Sequence, residues 1–269
     1  MSTKHVFDDA TGLVEKACLG VASTNPDLRF FAHHKVLYNA AHPRDKVAIL
    51  AGGGAGHEPA FSGLVGSGLV TVAVSGDVFA SPSSKQICSG VDLAPTDKGI
   101  VTIVLNYTGD CLNFGLASEK ARSAFHSEGK GRDIEMVIVG DDVSVGRSKG
   151  GLVGRRGLTG AAFTAKVLGG ARVISDEVQK IAHLGRTMVK NFVTVGSSLD
   201  HCHVPGRSTD PKERGALSQS AVEIGMGIHN EPGAKHIENK PSGEDLIKEM
   251  LELLLREDDP ERSFVKFNK

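Results

Sequence analysis

The chain has 269 residues, of which 40% are hydrophobic, so it can bury the core of one large α/β domain. Its net charge of −1 at pH 7, its lack of Trp and its 5% of aromatic residues argue against a nucleic-acid partner or an anionic membrane surface. No apolar run approaches roughly 18 residues, and the N-terminus lacks a basic segment followed by an apolar one. The four cysteines form no C-x-x-C pair, which suits a reducing compartment. We therefore expect a cytoplasmic protein without a membrane span or a signal peptide.

The first part of the chain alternates short apolar strands with helices. The spacing of apolar residues predicts an amphipathic helix from Phe7 to about Val21, whereas the segment Arg29–Tyr38 is ambiguous. The strands that follow are largely apolar and lie at Val47–Leu50, Leu69–Val74, Ile100–Leu105 and Glu135–Val139. Helices are predicted near Pro59–Leu64 and at Ser83–Val91, Leu112–Phe125, Thr159–Leu168 and Ser175–Lys190. Apolar strands that are each followed by a helix predict an α/β fold, with a mainly parallel sheet and helices on both faces.

A run of glycines, Gly52-Gly53-Gly54-Ala55-Gly56, follows the first of these strands. We interpret it as a turn in which bare backbone N–H groups can approach a small polar ligand. It is not a dinucleotide-binding fingerprint, because His57 or Pro59 stands where the third glycine of G-x-G-x-x-G belongs. A P-loop sequence is also absent from the chain. His57 is then a candidate functional residue, since it places an ionisable ring at the tip of this loop.

Polar residues follow each of the four predicted strands. In a parallel sheet the ligand binds beyond the carboxyl ends of the strands, and glycines with hydrogen-bonding groups are found at every one of these ends. The sequence therefore predicts a binding site at this edge. The residues concerned are Gly54, His57, Ser75, Asp77, Asn106, Thr108, Asp110, Gly140, Asp141 and Asp142.

Two later loops carry charged or metal-ligating side chains. The glycine-rich segment Ser144–Gly157 contains several basic residues, and we interpret it as a solvated loop in preference to an anion contact. His201-Cys202-His203 offers two imidazoles without a nearby third ligand, so we predict no metal site there. Asp200–Gly215 as a whole has the pattern of a long irregular loop.

The last part of the chain brings a second histidine between glycines and a Glu-Pro pair. A strand predicted at Val193–Gly196 and an alternating segment at Ala221–Gly227 precede His229. Ser242 is predicted to cap a helix that runs to about Arg256, and Ser263–Phe267 has the pattern of a strand that has just begun. We therefore expect a first α/β subdomain over residues 1–198 and the start of a second, incomplete one over residues 199–269.

Five motifs together resemble the substrate-binding K domain of dihydroxyacetone (glycerone) kinases. They occur in the family's order over essentially the whole chain. The sequence around His203-Val204-Pro205-Gly206-Arg207 resembles the ATP-dependent, eukaryotic-like branch of the family. The motifs are Gly52–Pro59, Ser75–Pro82, Asn106–Asp110, Gly154–Gly157 and Gly225–Gly233.

The resemblance implies roles for particular residues. It implies that His229 bonds covalently to the ketone carbon of the substrate, forming a hemiaminal. His57 and Asp110 would surround the substrate hydroxyls as acid/base groups, and either could take the proton from the hydroxyl that attacks phosphate. The backbone of Gly54, Ala55 and Gly56 would hydrogen-bond the bound triose, with Ser81 as a neighbour.

A covalent bond to the substrate has a physical reason. A triose is so small that its non-covalent contacts supply at most about −1.5 kcal/mol per heavy atom. A reversible bond strengthens the hold and selects ketones and aldehydes over the commoner polyol glycerol. His229 must be neutral to attack, because a protonated imidazole has no lone pair to donate.

The resemblance also implies partners. The substrate would be dihydroxyacetone or glyceraldehyde, in glycerol and triose catabolism, and the protein would be a homodimer. This chain would bind no cofactor itself, since MgATP would sit on a separate, helical nucleotide-binding domain.

The sequence departs from the family pattern in two respects. Leu105 stands where family members usually carry a lysine, and the family's K domain continues well past the position of Lys269. Two alternatives therefore stay open beside a kinase domain: a ketose-binding or regulatory protein without catalysis, and an inactive, truncated product.

Overall fold

The computed structural model describes residues 3–129 and 131–266 of the chain, without the side chains of residues 213 and 214. The chain divides into two compact units. The large unit comprises Gly12–Val139 and Thr159–Val189, and the small unit comprises Met1–Thr11, Gly140–Leu158 and Lys190–Lys269. Both units combine segments that are distant in sequence, whereas the predicted subdomains are contiguous. The predicted boundary between residues 198 and 199 stays a prediction.

Strands and helices alternate along the chain. In chain order the strands are β1 (Leu28–Phe31), β2 (Val36–Asn39), β3 (Ala48–Ala55), β4 (Val72–Val78), β5 (Gly99–Leu105), β6 (Asp133–Val139), β7 (Ser197–Ser198), β8 (Val222–Ile224) and β9 (Lys235–Ile237). The helices are α1 (Leu13–Ser23), α2 (Ser84–Leu93), α3 (Thr108–Glu128), α4 (Arg147–Gly150), α5 (Gly160–Ile174), α6 (Val178–Val189), α7 (Pro211–Arg214) and α8 (Gly243–Leu255). None of the helices within the described residues is both long and apolar enough to cross a membrane.

Within its described residues, the large unit is built on a six-stranded sheet with the order β1-β2-β4-β3-β5-β6. The four strands β3 to β6 are parallel to one another, and β1 and β2 add an antiparallel hairpin at one edge. This hairpin occupies the segment for which the sequence pattern was ambiguous. The predicted α/β class, with a mainly parallel sheet, is confirmed.

Helices cover both faces of this sheet because its strands are apolar on both sides. Side chains of α2 and α3, with Phe114 at the centre, pack against alternate residues of the strands such as Leu50 and Val74. The helices α5 and α6 pack against β3, β5 and β6. A Cβ on Gly185 of α6 would lie 2.9 Å from the side chain of Val137, which shows how closely α6 approaches β6.

Two predicted helices of the large unit are wrong in extent. The first helix begins at Leu13 and not near Phe7, since Gly12 before it has the left-handed backbone conformation, with φ of 68°. The segment Pro59–Leu64 contains only a 3₁₀ turn at Ser62–Leu64. The other helices form as predicted, with ends shifted by several residues; α2, for example, starts after a capping box at Ser83.

The glycine run is a strand and not a turn. β3 continues through Gly52–Gly54 to Ala55, in parallel register with β4 and β5. A Cβ on Gly52 would collide with the carbonyl oxygen of Val74 and lie 3.0 Å from Cζ of Phe114. The glycines are therefore needed for close approach between neighbouring elements.

The small unit holds, among its described residues, a three-stranded antiparallel sheet with the order β7-β8-β9. The strand predicted at Val193–Gly196 is reduced to a single bridge between Thr194 and Asp142. α8 begins as predicted, with the Ser242 hydroxyl accepting the backbone N–H of Asp245. The strand predicted from Ser263 is wrong up to Lys266, and its last residue, Phe267, lies outside the described residues.

Candidate functional site

The end of β3 packs tightly against the segment that follows β4. Phe79 donates its backbone N–H to the carbonyl oxygen of Ala55 at 2.9 Å. A Cβ on Gly54 would lie 2.9 Å from the backbone nitrogen of Ala80, and one on Gly56 would lie 2.7 Å from Cε1 of Phe79. Gly56 also has a φ of 98°, which a residue with a side chain rarely adopts. Backbone, rather than side chains, is therefore what this part of the edge presents.

His57 lies at this end of β3 and is half-buried. Its ring stacks on the ring of Phe79, with centroids 5.0 Å apart and planes inclined by 13°. The next residue, Glu58, accepts the backbone N–H of Gly56 at 3.2 Å through Oε1. The aromatic face of Phe79 thereby restricts the orientation of the His57 ring.

Asp110 and Ser81 lie at the same edge. Asp110 is in the first turn of α3 and only 5% exposed, and its carboxylate oxygens lie 3.8 and 3.9 Å from where a Cβ on Gly53 would be. A Cβ on Gly109 would lie 2.7 Å from Oγ of Ser81. The N-terminal end of α3 favours a negative charge at Asp110. Of the predicted site residues in the large unit, Gly54, Ala55, Gly56, His57, Ser81 and Asp110 thus lie at the carboxyl ends of its parallel strands.

Leu105 occupies the position at which the family resemblance places a lysine. It is the last residue of β5 and is buried, with 6% of its surface exposed. This position therefore adds no positive charge to the edge.

His229 lies in the small unit, as do the predicted strand-end residues Gly140, Asp141 and Asp142. It is part of the turn that joins β8 to β9, residues 225–233, which we call the His229 turn. Its ring atom Nδ1 lies 3.0 Å from Oε1 of Glu231, and its backbone N–H is donated to Oε2 of the same carboxylate at 2.9 Å. Burial raises the pKa of Glu231, but the hydrogen bonds from the ring and backbone of His229 outweigh it and lower that pKa to about 2.

The His229 turn is fixed by several hydrogen bonds of its own. Gly227 donates its N–H to the carbonyl oxygen of Glu231 at 2.9 Å. The side chain of Asn230 accepts the N–H of Cys202 at 2.8 Å and donates to its carbonyl oxygen at 3.1 Å. Asn230 has a φ of 64°, a conformation that asparagine tolerates better than most residues. The turn is therefore connected by hydrogen bonds both internally and to Cys202.

His203, one of the two imidazoles of His201-Cys202-His203, is engaged by another histidine. His203 contacts His5, with Nε2 of His5 2.8 Å from Nδ1 of His203, and Cys202 supplies backbone contacts to the His229 turn. In the part of the chain that the structure describes, no group of three or more His, Cys, Asp or Glu side chains is arranged to hold a metal ion.

The basic loop before α5 is exposed at residues 147–149 and 151–154, as expected of a solvated loop, whereas Arg155 and Arg156 at its end are half-buried. Arg156 forms an ion pair with the fully buried Asp142, at 2.8 Å. Arg147 and Arg155 both lie over the ring of Phe264, with their guanidinium carbons 4.4 and 4.1 Å from its centroid. Arg156 and Glu231 are the two residues near His229 whose contacts the sequence did not predict. A signal for Glu231 exists, because both glycine-flanked histidines are followed by Glu-Pro.

The sequence of the chain matches a known protein family. A family model described as the Dak1 domain matches residues 19–268. The chain is 43% identical to a dihydroxyacetone kinase of Pichia angusta, over 100% of the chain and 44% of that protein. It is 36% identical to the triokinase/FMN cyclase of Homo sapiens, over 94% of the chain and 42% of that protein. The chain thus spans less than half the length of these relatives.

Solved structures show the same fold. The native dihydroxyacetone kinase of C. freundii has a TM-score of 0.81 and 32% identity, over 93% of this chain and 45% of that one. The dihydroxyacetone kinase operon co-activator Dha-DhaQ has a TM-score of 0.77 and 29% identity, over 88% of this chain and 70% of that one. These matches confirm the resemblance seen in the motifs, and the chain belongs to the Dak1 domain family of the dihydroxyacetone kinases.

Proposed function

We propose that this chain is the ketotriose-binding part of an ATP-dependent dihydroxyacetone kinase, and that His229 holds the substrate as a covalent hemiaminal. The substrate is dihydroxyacetone or glyceraldehyde, and the reaction serves glycerol and triose catabolism. The family membership and the similarity to dihydroxyacetone kinases support the reaction class. The observation that carries the assignment to His229 is its contact with Glu231.

Glu231 determines which nitrogen of His229 carries the proton. With a pKa near 2 its carboxylate is ionised at neutral pH, and an ionised carboxylate only accepts hydrogen bonds. The ring atom Nδ1, 3.0 Å away, must therefore carry the proton of the neutral imidazole. Nε2 then keeps its lone pair and is the nucleophile.

The addition step balances without a further reagent. The lone pair of Nε2 forms a bond to the ketone carbon, and the carbonyl π electrons move to oxygen. The resulting alkoxide takes a proton from water, and the hydroxide that this leaves takes the Nδ1 proton from the positively charged ring. Each transfer is reversible, so the substrate can be released after reaction.

The phosphoryl-transfer step calls on the large unit and on a separate domain. Either Asp110 or His57 takes the proton from the hydroxyl that attacks phosphate, while the backbone of Gly54, Ala55 and Gly56 and the nearby Ser81 hold the triose. MgATP is bound by a separate nucleotide-binding domain. A related C. freundii structure in complex with AMP-PNP and Mg²⁺ supports this, since the chain covers only 46% of it.

The described residues of this chain do not fit Mg²⁺. Asp141 and Asp142, the nearest carboxylate pair, are both engaged by the protein. Asp141 accepts the N–H of Leu158 at 2.7 Å and the hydroxyl of Thr194 at 2.6 Å. Asp142 is paired with Arg156. We therefore place no metal-dependent step on the residues of this chain.

The proposal also includes the oligomeric state and the location: we propose that the protein is a homodimer in the cytoplasm.

The test is direct observation of the adduct. Dihydroxyacetone labelled with ¹³C at the ketone carbon should change its carbon signal from a trigonal to a tetrahedral centre when the protein is added. His229→Ala should abolish the signal of the adduct. His236→Ala is the matched control, because His236 lies in the same unit, on β9, and should leave the adduct intact. An adduct that persists in His229→Ala would show the assignment to be incorrect.

A second candidate function is ketose binding without catalysis, as in a regulatory protein. Two observations favour it: the similarity to an operon co-activator, and the buried, uncharged Leu105 in place of the family lysine. Both functions require the adduct on His229. They differ in turnover, which must be measured with a nucleotide-binding domain present.

A further inference from the structure

A buried ion pair lies beside the His229 turn and has no role in the proposed chemistry. Asp142 is 0% exposed, and the Arg156 side chain is 13% exposed. Nε of Arg156 donates to Oδ2 of Asp142 at 2.9 Å, and Nη2 lies 2.8 Å from the same oxygen. The other oxygen, Oδ1, accepts the backbone N–H of Ser144 at 2.9 Å and also its hydroxyl. Asp142 is thus fully hydrogen-bonded, and it fixes the plane of the guanidinium.

The rest of the guanidinium reaches both ends of the His229 turn. Nη2 donates to the carbonyl oxygen of Gly225 at 2.8 Å, and Nη1 donates to that of Pro232 at 3.4 Å. Nη1 also lies 4.0 Å from Oε2 of Glu231. A planar, rigid fork can hold two separated carbonyls and a carboxylate in one geometry, which a single ammonium group cannot do.

Packing around Gly227 shows how little space this arrangement leaves. A Cβ on Gly227 would collide with Oε2 of Glu231 and would lie 2.5 Å from Nη1 of Arg156. The bare backbone of Gly227 therefore fits against both charged groups. Any side chain there would push Glu231 away from Arg156 or from His229.

We propose that Arg156, oriented by Asp142, is a positioning residue that fixes Glu231 against Nδ1 of His229 and so keeps Nε2 as the nucleophilic atom. The proposal rests on the proposed function, in which Nε2 attacks the ketone. Arg156 touches neither the substrate nor the ring of His229 in this account; it acts through Glu231 and through the two carbonyls of the turn.

The experiment compares Arg156→Lys with Arg155→Lys. Both changes keep the charge and lie in the same loop, but Arg155 contacts Phe264 and the carbonyl oxygen of Asp141 and has no part in the Arg156 contacts with the turn. The first measurement is the tautomer of His229, read from the ¹⁵N shifts of its ring without substrate. The second is the dissociation constant of the ¹³C-labelled dihydroxyacetone adduct.

We expect Arg156→Lys to leave about a tenth of His229 in the tautomer with an unprotonated Nε2 and so to weaken the adduct about tenfold, because the apparent affinity falls with the competent fraction. Arg155→Lys should change neither. If folded Arg156→Lys keeps the wild-type tautomer and affinity, or if both variants change them equally, the proposal is overturned. If the wild type forms no adduct but Arg156→Lys still shifts the tautomer, the positioning role stands and the proposed function fails.

A second variant covers the case in which Arg156→Lys does not fold. Gly227→Ala leaves every charge in place and displaces the same contact by steric overlap. It should shift the tautomer in the same direction, and an unchanged tautomer in folded Gly227→Ala would then overturn the proposal.

Discussion

His57 and His229 are each followed by a glutamate that accepts a backbone N–H from two residues earlier, but only one of these glutamates contacts the histidine ring. Glu58 accepts the N–H of Gly56, and Glu231 accepts the N–H of His229, each two residues earlier in the chain. The inserted Asn230 moves the second carboxylate one residue further from its histidine in sequence. That single residue lets Glu231 bond both the backbone and the ring of His229, whereas the ring of His57 stacks on Phe79.

A buried histidine of the large unit should make stability depend on pH. Burial and the nearby Arg172 lower the pKa of His42 to about 4, although hydrogen bonding to backbone carbonyls opposes this. His42 is thus neutral when folded, whereas the unfolded chain binds its proton near pH 6.5. The stability that His42 contributes is fully present above about pH 6.5 and is lost as the pH falls towards 4.

The measurement is the free energy of unfolding by urea across this pH range. We expect the proton uptake on unfolding of His42→Gln to be lower than that of the wild type by close to one proton. His183→Gln, at an exposed position of α6, is the matched control and should leave the uptake nearly unchanged. The prediction would be contradicted if the free energy of unfolding depended on pH equally steeply in the wild type and in His42→Gln. The pH range in which His42 titrates lies above that of Glu231. The stability that Glu231 contributes is lost as the pH falls from about 4.5 to 2.

At the scale of elements, β3 depends on glycine at its centre. Gly52→Ala would press a methyl group against the carbonyl oxygen of Val74, and backbone cannot move aside as a side chain can. We expect this variant to lose about 1–3 kcal/mol of unfolding free energy, the usual cost of overpacking a core. Gly115→Ala, in α3, has nothing within 4 Å of its added Cβ and should instead gain about 0.5–1 kcal/mol from higher helix propensity. Denaturant unfolding of both variants checks the sign of each change, and a stabilising Gly52→Ala would refute the packing argument.

The elements that the sequence predicted well have local signals. β5 is a continuous apolar and β-branched run, and α2 and α8 begin at serine caps. The extension of β3 through its glycines could not be predicted, because it depends on pairing with β4 and β5. The hairpin of β1 and β2 could not be predicted for a different reason. Its turn has Lys35, and not a glycine, in the left-handed conformation, with φ of 53°.

The candidate site shows the same division. His57 and Asp110 could be identified as site candidates because polar residues at the ends of parallel strands meet at one edge. His229 was identified through the family resemblance. The contact of Arg156 with Glu231 had no local signal, since it joins residues from two distant motifs across a fold that the sequence pattern does not define.

At the scale of the whole molecule, the isolated chain should not phosphorylate dihydroxyacetone with MgATP. Phosphoryl transfer depends on positioning and on charge stabilisation around the γ-phosphate, and the carboxylates Asp141 and Asp142 are already engaged. The assay measures product formed by residues 1–269 with MgATP, alone and with a nucleotide-binding domain of a dihydroxyacetone kinase added. Rescue by the added domain is expected, and it would distinguish a kinase domain from a ketose-binding regulator. Turnover by the chain alone would refute this prediction.

The contact of Arg147 and Arg155 with Phe264 has a consequence for how fast a protease can cut the loop that carries Arg156. The segment with Phe264 is fastened to this loop at further points: Glu261 accepts the N–H and the hydroxyl of Ser148, at 2.9 and 2.7 Å. Trypsin cleaves after arginine, so both arginines are potential cleavage sites. Trypsin must bind the arginine side chain in its specificity pocket, and the contact of the guanidinium with the Phe264 ring opposes this. We therefore expect the rate of tryptic cleavage after Arg155, which is half-buried, to report how often the segment with Phe264 separates from the loop.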